Sequence, residues 1–408
     1  MKDLVIIGNG FDLSCGLNST YSDFFNYKYQ NFDKYKYENN VSNLKNITDT
    51  IERLENKIKS INALKDIKIE LYRNPSVDIN NRSVILNELE SQRKELEIAN
   101  SQLALSKKNR LNLLDIVFNN NEFTFWDYWF MGTSKEDKKK NLLWSDVESS
   151  ILEILEWFES DGENHLLENY VNSKKCSKNN EWVSVGEFLS EKKCTIFDFL
   201  LEELNKFENS FRDYLTKQIT YSEHCYLNNA YELFEKIISQ DNENEFYVIN
   251  FNYTKPFPNL KQRKIYFMNN VHGDISREEI IFGIDSFSQK SENLSFFTKT
   301  SRIMSLDKTE REPIPAKKDV ENIYFFGHSL SSADYSYFLS IFDFYDIYDS
   351  NIKLNFVYSN YEDNSKKNML KKINKLLTNY GESFDNKSKG KNLMHKLSLE
   401  NRLLIKEI

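Results

Sequence analysis

The stretch "DLVIIGNGFDLSCG", residues 3–16, decides the fold class. Four apolar residues, Leu4 to Ile7, run without polar alternation into Gly8-Asn9-Gly10. Such a run is the pattern of a short strand buried on both faces of a parallel sheet. "NSTYSDFF" (18–25) then opens a helix, with Ser19 or Thr20 as its N-cap. Strand, glycine turn and helix form the first unit of an α/β domain. The whole chain holds 11 glycines in 408 residues, well below the roughly 7% of an average protein. Gly8, Gly10 and Gly16 therefore mark positions where a side chain is excluded.

Apolar residues make up 40% of the chain and charged residues 28%, with a formal net charge of −8. This balance describes a folded chain with room for more than one core. The acidic excess argues against nucleic acid as a partner. Cys15, Cys176, Cys194 and Cys225 form no CxxC pair, so neither a disulfide framework nor a structural zinc site is expected. No basic leader with a long apolar run opens the sequence, and no apolar run approaches the ~20 residues of a membrane span. A cytoplasmic protein is the expectation.

Residues 41–118 have a different texture. Leu44, Ile47, Ile51, Leu54, Ile58 and Ile61 alternate spacings of three and four, and the pattern resumes after "RNPSVDINN" (73–81) at Ile85, Leu89, Leu96 and Leu103. Two long helices joined by a turn follow from this seam, as an antiparallel hairpin that serves as a packing arm, an oligomerisation element or a partner-binding element. "FTFWDYWFMG" (123–132) reads as an aromatic core plug or a stacking platform, and helical signals dominate from there to about 240. Beyond 245, "EFYVIN" (245–250), "KIYFMN" (264–269), "EIIFGI" (279–284), "NIYFFG" (322–327) and "IKLNFVYS" (352–359) read as strands. "SLENRLLIKEI" (398–408) ends the chain as a helix or a strand. The predicted organisation is a split α/β core (1–40 and 240–408), a hairpin arm (41–120) and a helical subdomain (121–239).

Ligands of open parallel sheets bind beyond the carboxyl ends of the strands. Five polar motifs stand there: "GNGFD" (8–12), "NFNYT" (250–254), "NVHGD" (270–274), "FGID" (282–285) and "FGHSLSSAD" (326–334). The first reads as a tight turn or as a cradle that offers N–H groups of Gly8, Asn9, Gly10, Phe11 and Asp12 to a phosphate. Its spacing departs from the GxGxxG fingerprint, and it lacks the lysine of a P-loop. His272 and His328 each follow a strand, beside Gly273 and Gly327, and read as structural histidines or as proton-transfer groups. His165, His224 and His395 lie in helical or terminal segments. No HExxH or HxxxH spacing appears, and no metal is expected. Asp12, Asp274, Asp285 and Asp334 read as capping residues or, gathered, as acidic ligands.

"IIGNGFDLSCGLNSTYSDF", "INFNYT", "VHGD", "IIFGID" and "FGHSLSSAD", in this order, resemble the bacteriophage abortive-infection AbiH family. More distantly, the order is similar to the Sir2-like NAD-binding domains of anti-phage systems. The resemblance implies a Rossmann-like (Sir2-like) parallel core interrupted by the helical insertion. It further implies NAD+ as substrate or ligand, with Gly8 and Gly10 on the phosphate side. It makes Asn252 a residue that positions ribose and water, His272 the catalytic histidine, and Ser329 and Asp334 the adenosine-side block with Gly327 and His328. Thr254 stands where the related block carries aspartate. The implied function is an abortive-infection effector that cleaves the nicotinamide–ribose bond. The alternatives are a non-catalytic nucleotide sensor or scaffold and a metal-dependent nuclease. The phage-derived trigger is not legible.

Overall fold

The computed structural model spans residues 1–408 and describes all but 75, 77, 121, 134–143, 161–164, 180–181, 239–242, 261–263, 278, 287–290, 307–311 and 361–363. The side chains of 132–133, 144–146 and 175–179, Cys176 among them, also lie outside the described residues, as do two positions of the 73–81 turn. The chain divides into two compact units, one of residues 1–30, 132–162 and 197–408, the other of 31–131 and 163–196.

The first unit is built on a six-stranded sheet of β1 (Lys2–Ile7), β2 (Glu245–Asn250), β3 (Ile265–Asn270), β6 (Val320–Phe326), β7 (Lys353–Tyr358) and β8 (Leu403–Glu407). Its order is β3-β2-β1-β6-β7-β8, and every pairing is parallel. Counting only these strands along the chain, the order reverses next to the first one, as in the doubly wound nucleotide-binding folds. The core is therefore α/β and Rossmann-like. β1 lies in the middle, with Val5 paired to Val248 on one side and Tyr324 on the other.

Successive β1 residues face opposite layers. Leu4 and Ile6 join Tyr247, Ile249, Ile323, Phe325, Leu354 and Phe356 under α12 (Tyr335–Phe344), α13 (Ser365–Glu382) and α14 (Lys387–Leu399). Val5 and Ile7 join Phe246, Val248, Phe326 and Val357 under α9 (Ile196–Ile238), through Tyr226, Ala230, Phe234 and Ile237. Each strand is apolar on both faces because each face has its own helical cover. Two short helices follow β1: α1 (Asn9–Ser14) and α2 (Tyr21–Lys28). Thr20 caps α2 in a reciprocal capping box with Asp23, the second of the two N-caps expected. Phe24 of α2 packs edge-on against Phe207 and Phe211 of α9. α6 (Trp144–Glu159) and α11 (Lys299–Ser305) complete the elements that bear on the site, and α10 (Glu292–Ser295) precedes α11.

Two expectations shift. "EIIFGI" adds no strand to the main sheet: only β5 (Glu279–Ile280) is extended, antiparallel to β4 (Gly273–Asp274) in a separate two-stranded sheet. Ile281, Phe282 and Ile284 are buried without extending that ladder, which explains the apolar run. The unit boundaries also fall elsewhere than 40, 120 and 240. The carboxyl-terminal part of α9 covers the sheet, so 197–238 groups with the strands.

The second unit contains the hairpin, α3 (Lys34–Arg73) and α4 (Ile79–Val117), with α5 (Phe125–Thr133), most of which it holds, α7 (His165–Asn179) and α8 (Val185–Lys192). Leu44, Ile51 and Ile61 are buried on α3, and ion pairs Lys57–Glu95, Lys68–Glu88 and Lys107–Glu55 join the helices at 2.7–2.8 Å. Tyr128 of the aromatic cluster is fully buried among Tyr37, Phe118, Phe123 and Tyr170, a core plug.

Candidate active site

The carboxyl ends of β1 and β6 meet at the point where the strand order reverses. There the Gly8 N–H donates to Phe326 O (3.1 Å) and the Gly10 N–H to Gly327 O (2.7 Å). A Cβ on Gly10 would lie 2.7 Å from the Gly327 Cα, and one on Gly8 equally close to the His328 Cα. Gly327 itself has φ +70°. The glycines thus let two turns touch backbone to backbone. The expected phosphate cradle differs in this respect, because the N–H groups of Gly8, Gly10 and Phe11 are spent on protein carbonyls.

Behind these turns the "NFNYT" loop is tied down by asparagine amides. Asn250 Nδ2 donates to Thr254 O (2.8 Å), Asn270 Nδ2 to Asn252 O and Thr254 O, and Asn252 Nδ2 to Gly8 O (3.1 Å). Below the turn the Asp12 carboxylate receives hydroxyls of Tyr226 and Thr254, each at 2.8 Å. Burial pushes Asp12 up to about 7 despite these bonds and one from Asn252. Phe11, Asp12 and Thr254 are all buried, whereas Asn9 and Gly10 are partly exposed. Asn9 Oδ1 accepts from Ser19 (2.6 Å).

Two histidines converge on Asp334. His328 Nδ1 accepts the Leu330 N–H (2.9 Å), which leaves the proton on Nε2, 3.3 Å from Asp334 Oδ2. His272 Nε2 lies 3.5 Å from Asp334 Oδ1 and has no hydrogen-bond partner among the described residues. The His272 ring hydrogen-bonds the Phe251 backbone, which falls to Nδ1 since Nε2 is free, so Nε2 carries the lone pair. Burial, then Lys299 and His328, lower His272 to about 3 against the pull of Asp334; the ring is neutral at physiological pH. The Phe251 ring lies edge-on to both imidazoles.

Lys299 is buried with three acceptors at 2.7 Å: Asp334 Oδ1, Ala333 O and Glu148 Oε1. Burial alone would lower this ammonium, but Asp334 and Glu148 raise it above its usual range. Burial would likewise raise Asp334, yet Lys299 and the two histidines hold it far below the carboxylate range. Glu148 has one cation to share and no histidine; burial pushes it up to about 8. A cleft of about 540 Å³ opens on this side, lined by Glu148, Asp285, Ala333, Tyr335, Asn379 and Glu382 among others.

The structure thus gathers Gly8, Gly10, Asn252, Thr254, Asp12, His272, Gly327, His328 and Asp334 around one strand-end region. Ser329 is exposed and donates to Ser331 Oγ (3.2 Å). Asp274 accepts from Ser276 and pairs with Lys255 (3.3 Å), and Asp285 accepts from the Ser336 N–H and hydroxyl. Among the described residues no group of three or more His, Cys, Asp or Glu side chains is arranged to hold a metal ion. Sequence reading missed Lys299, Glu148 and Tyr226, each of an abundant type inside a helix, where no local pattern singles it out.

A family model described as bacteriophage abortive infection AbiH matches residues 4–358, from β1 through the last residue of β7. The chain belongs to the AbiH family. The matched span contains the strand-end cluster from Gly8 to Asp334, though not Asn379 or Glu382 of the cleft, and ties this AbiH protein to abortive infection, a defence against bacteriophage. No curated protein and no solved structure matches the chain. No helix among the described residues is long and apolar enough to cross a membrane.

Proposed function

We propose that this AbiH protein is an abortive-infection effector that binds NAD+ or a related nucleotide at the carboxyl edge of its sheet and hydrolyses the nicotinamide–ribose bond. The observation that carries this reading is His272, a neutral imidazole at the carboxyl edge of the sheet whose Nε2 lies 3.5 Å from Asp334 Oδ1 and has no hydrogen-bond partner among the described residues. A water that reaches Nε2 can donate one O–H to it and the other to Asp334 Oδ1, whereas a ribose hydroxyl has one proton to give. In the reaction, the C–N bond breaks and nicotinamide leaves with the bonding pair as a neutral ring. Water oxygen joins the anomeric carbon, and its proton passes to His272 Nε2. Asp334 then faces the imidazolium. Asn252 acts through position, as its amide fixes the loop to Gly8.

Purified protein incubated with NAD+ should release nicotinamide, detected by chromatography, and His272→Ala should abolish release while still binding ADP-ribose. Neither turnover nor calorimetric binding of NAD+ or NADP+ would reject the reading. A nucleotide sensor is the second reading. It is favoured by Thr254, whose hydroxyl is committed to Asp12 and which offers a ligand no carboxylate. Tight ADP-ribose binding without turnover of NAD+ distinguishes it.

A further inference from the structure

We infer that the α3–α4 arm is a dimerisation element: one face of the hairpin packs on the same face of a second copy of this chain, and the two arms form a four-helix bundle. The first observation is where exposed apolar side chains gather. Among the described residues 21 large apolar side chains are exposed, and nine of them lie between 64 and 105, about a tenth of the chain. Six of the nine follow one pattern. Leu64, Ile67 and Leu71 of α3 are spaced three and four apart, and Val84, Ile98 and Leu105 of α4 fourteen and seven. Each of the six is between 47% and 60% exposed. Seven-residue spacing holds a stripe on one side of a helix. Lys57 stands seven before Leu64, and Glu88 and Glu95 stand four and eleven after Val84, within the same alternation of threes and fours. Lys57 reaches Glu95 at 2.8 Å and Lys68 reaches Glu88 at 2.7 Å, so the two stripes border one face of the hairpin.

The seam between the helices is itself incomplete. Leu54 and Ile58 of α3 and Leu89, Leu96 and Leu103 of α4 are only half-buried. Two helices leave an apolar seam open to water, and four enclose it. From Val84 to Leu105 the face runs about 32 Å at 1.5 Å per residue, and two helices side by side span about 20 Å. With the relief of its side chains, that area is on the order of the 800 Å² a side that a stable interface buries.

Charge selects a second copy as the partner and fixes its orientation. Between 53 and 68, α3 carries five basic residues against two acidic; between 88 and 97, α4 carries four acidic against two basic. The Lys57–Glu95 and Lys68–Glu88 pairs show that these stretches lie side by side. A two-fold axis parallel to the arm lays each α3 on the α4 of the other copy, basic on acidic, and makes every neighbouring pair of helices antiparallel. Each Lys57–Glu95 pair then meets its own reverse. A two-fold axis across the arm lays α3 on α3 and α4 on α4, like charge on like. The arm is thus complementary to itself in one arrangement, as an isologous dimer requires.

The inference is independent of the proposed nucleotide chemistry, and its test uses no nucleotide. Sedimentation velocity of the full chain at micromolar concentration should show a dimer. Leu64→Glu combined with Val84→Glu, both at exposed positions, should weaken dimerisation by roughly a hundredfold or more while circular dichroism keeps its helical signal. Ile79→Glu combined with Leu86→Glu, also exposed but off the pattern, should leave the dimer intact. Asn80→Cys, near the tip, tests the axis. A flexible bis-maleimide that spans two helix spacings should join the two chains of this variant, and should not join the chain without it. An axis across the arm keeps the tips a hairpin length apart and beyond that reach. A monomer at tens of micromolar, an undiminished dimer in the Leu64 and Val84 variant, an equal loss in the Ile79 and Leu86 variant, or no cross-link through Asn80→Cys overturns the inference.

Discussion

Asp12 and Thr254 lie 242 positions apart in the chain, and their side chains share a 2.8 Å hydrogen bond. Tyr226, from α9, donates to the same carboxylate. Three distant segments are thereby pinned under the first turn, and the fastening is a carboxyl whose ionisation burial opposes.

The pH response follows from that carboxyl. Asp12 rises from 3.8 to about 7 on folding, so the folded chain binds the extra proton. Its contribution is complete below the unfolded value and is lost as pH climbs through 7. Asp12→Asn should flatten the fall in stability between pH 4 and pH 7, a change on the order of a few kcal/mol. Urea melts at several pH values measure it.

Gly10 and Gly16 should respond differently to alanine. At Gly10 the new Cβ meets backbone at 2.7 Å, so the two turns must separate and the loss should exceed 2 kcal/mol, about the level of a serious packing error. At Gly16 nothing lies within 4 Å and only φ +86° is penalised. That cost is about 1–2 kcal/mol. Thermal melts of both variants test the contrast.

Lys299→Met should remove the main cation of Asp334 and leave a buried carboxylate uncompensated. A loss of about 3–5 kcal/mol is expected. Adding Asp334→Asn should recover much of it in chemical denaturation.

The Glu208–Arg302 pair offers a control away from the histidines. Arg302 reaches Glu208, Asn205 (2.6 Å) and the Phe282 carbonyl, and burial raises Glu208 even against the guanidinium. Arg302→Met alone should destabilise by about 3–5 kcal/mol, and the double variant with Glu208→Gln by less than the sum of the singles. A double-mutant cycle by urea unfolding reads the coupling.

Much of the sheet was legible because doubly covered strands show as unbroken apolar runs: "LVII" and "EFYVIN" need no alternation to be recognised. The same rule misleads at "EIIFGI", where burial comes from loop packing rather than strand pairing. β8 stayed ambiguous because an edge strand is partly exposed, as Leu403, Leu404 and Ile405 are. Gly8 and Gly10 announced a close approach, but only the three-dimensional arrangement identifies the approaching groups as His328 and Gly327. His272, His328 and Asp334 were legible as strand-end polar residues. Lys299 and Glu148 were not, since a buried ion pair between helices distant in sequence leaves no local periodicity.

The position of β1 has a consequence for synthesis. Its two neighbours begin at Glu245 and Val320. At about 5–20 residues per second, a ribosome needs on the order of tens of seconds to deliver the second one. Until then β1 can pair only with β2, and its other edge stays open. A product that stops before β6 has no Gly327, His328 or Asp334, so the site cannot close until the strand that leads into them has been made.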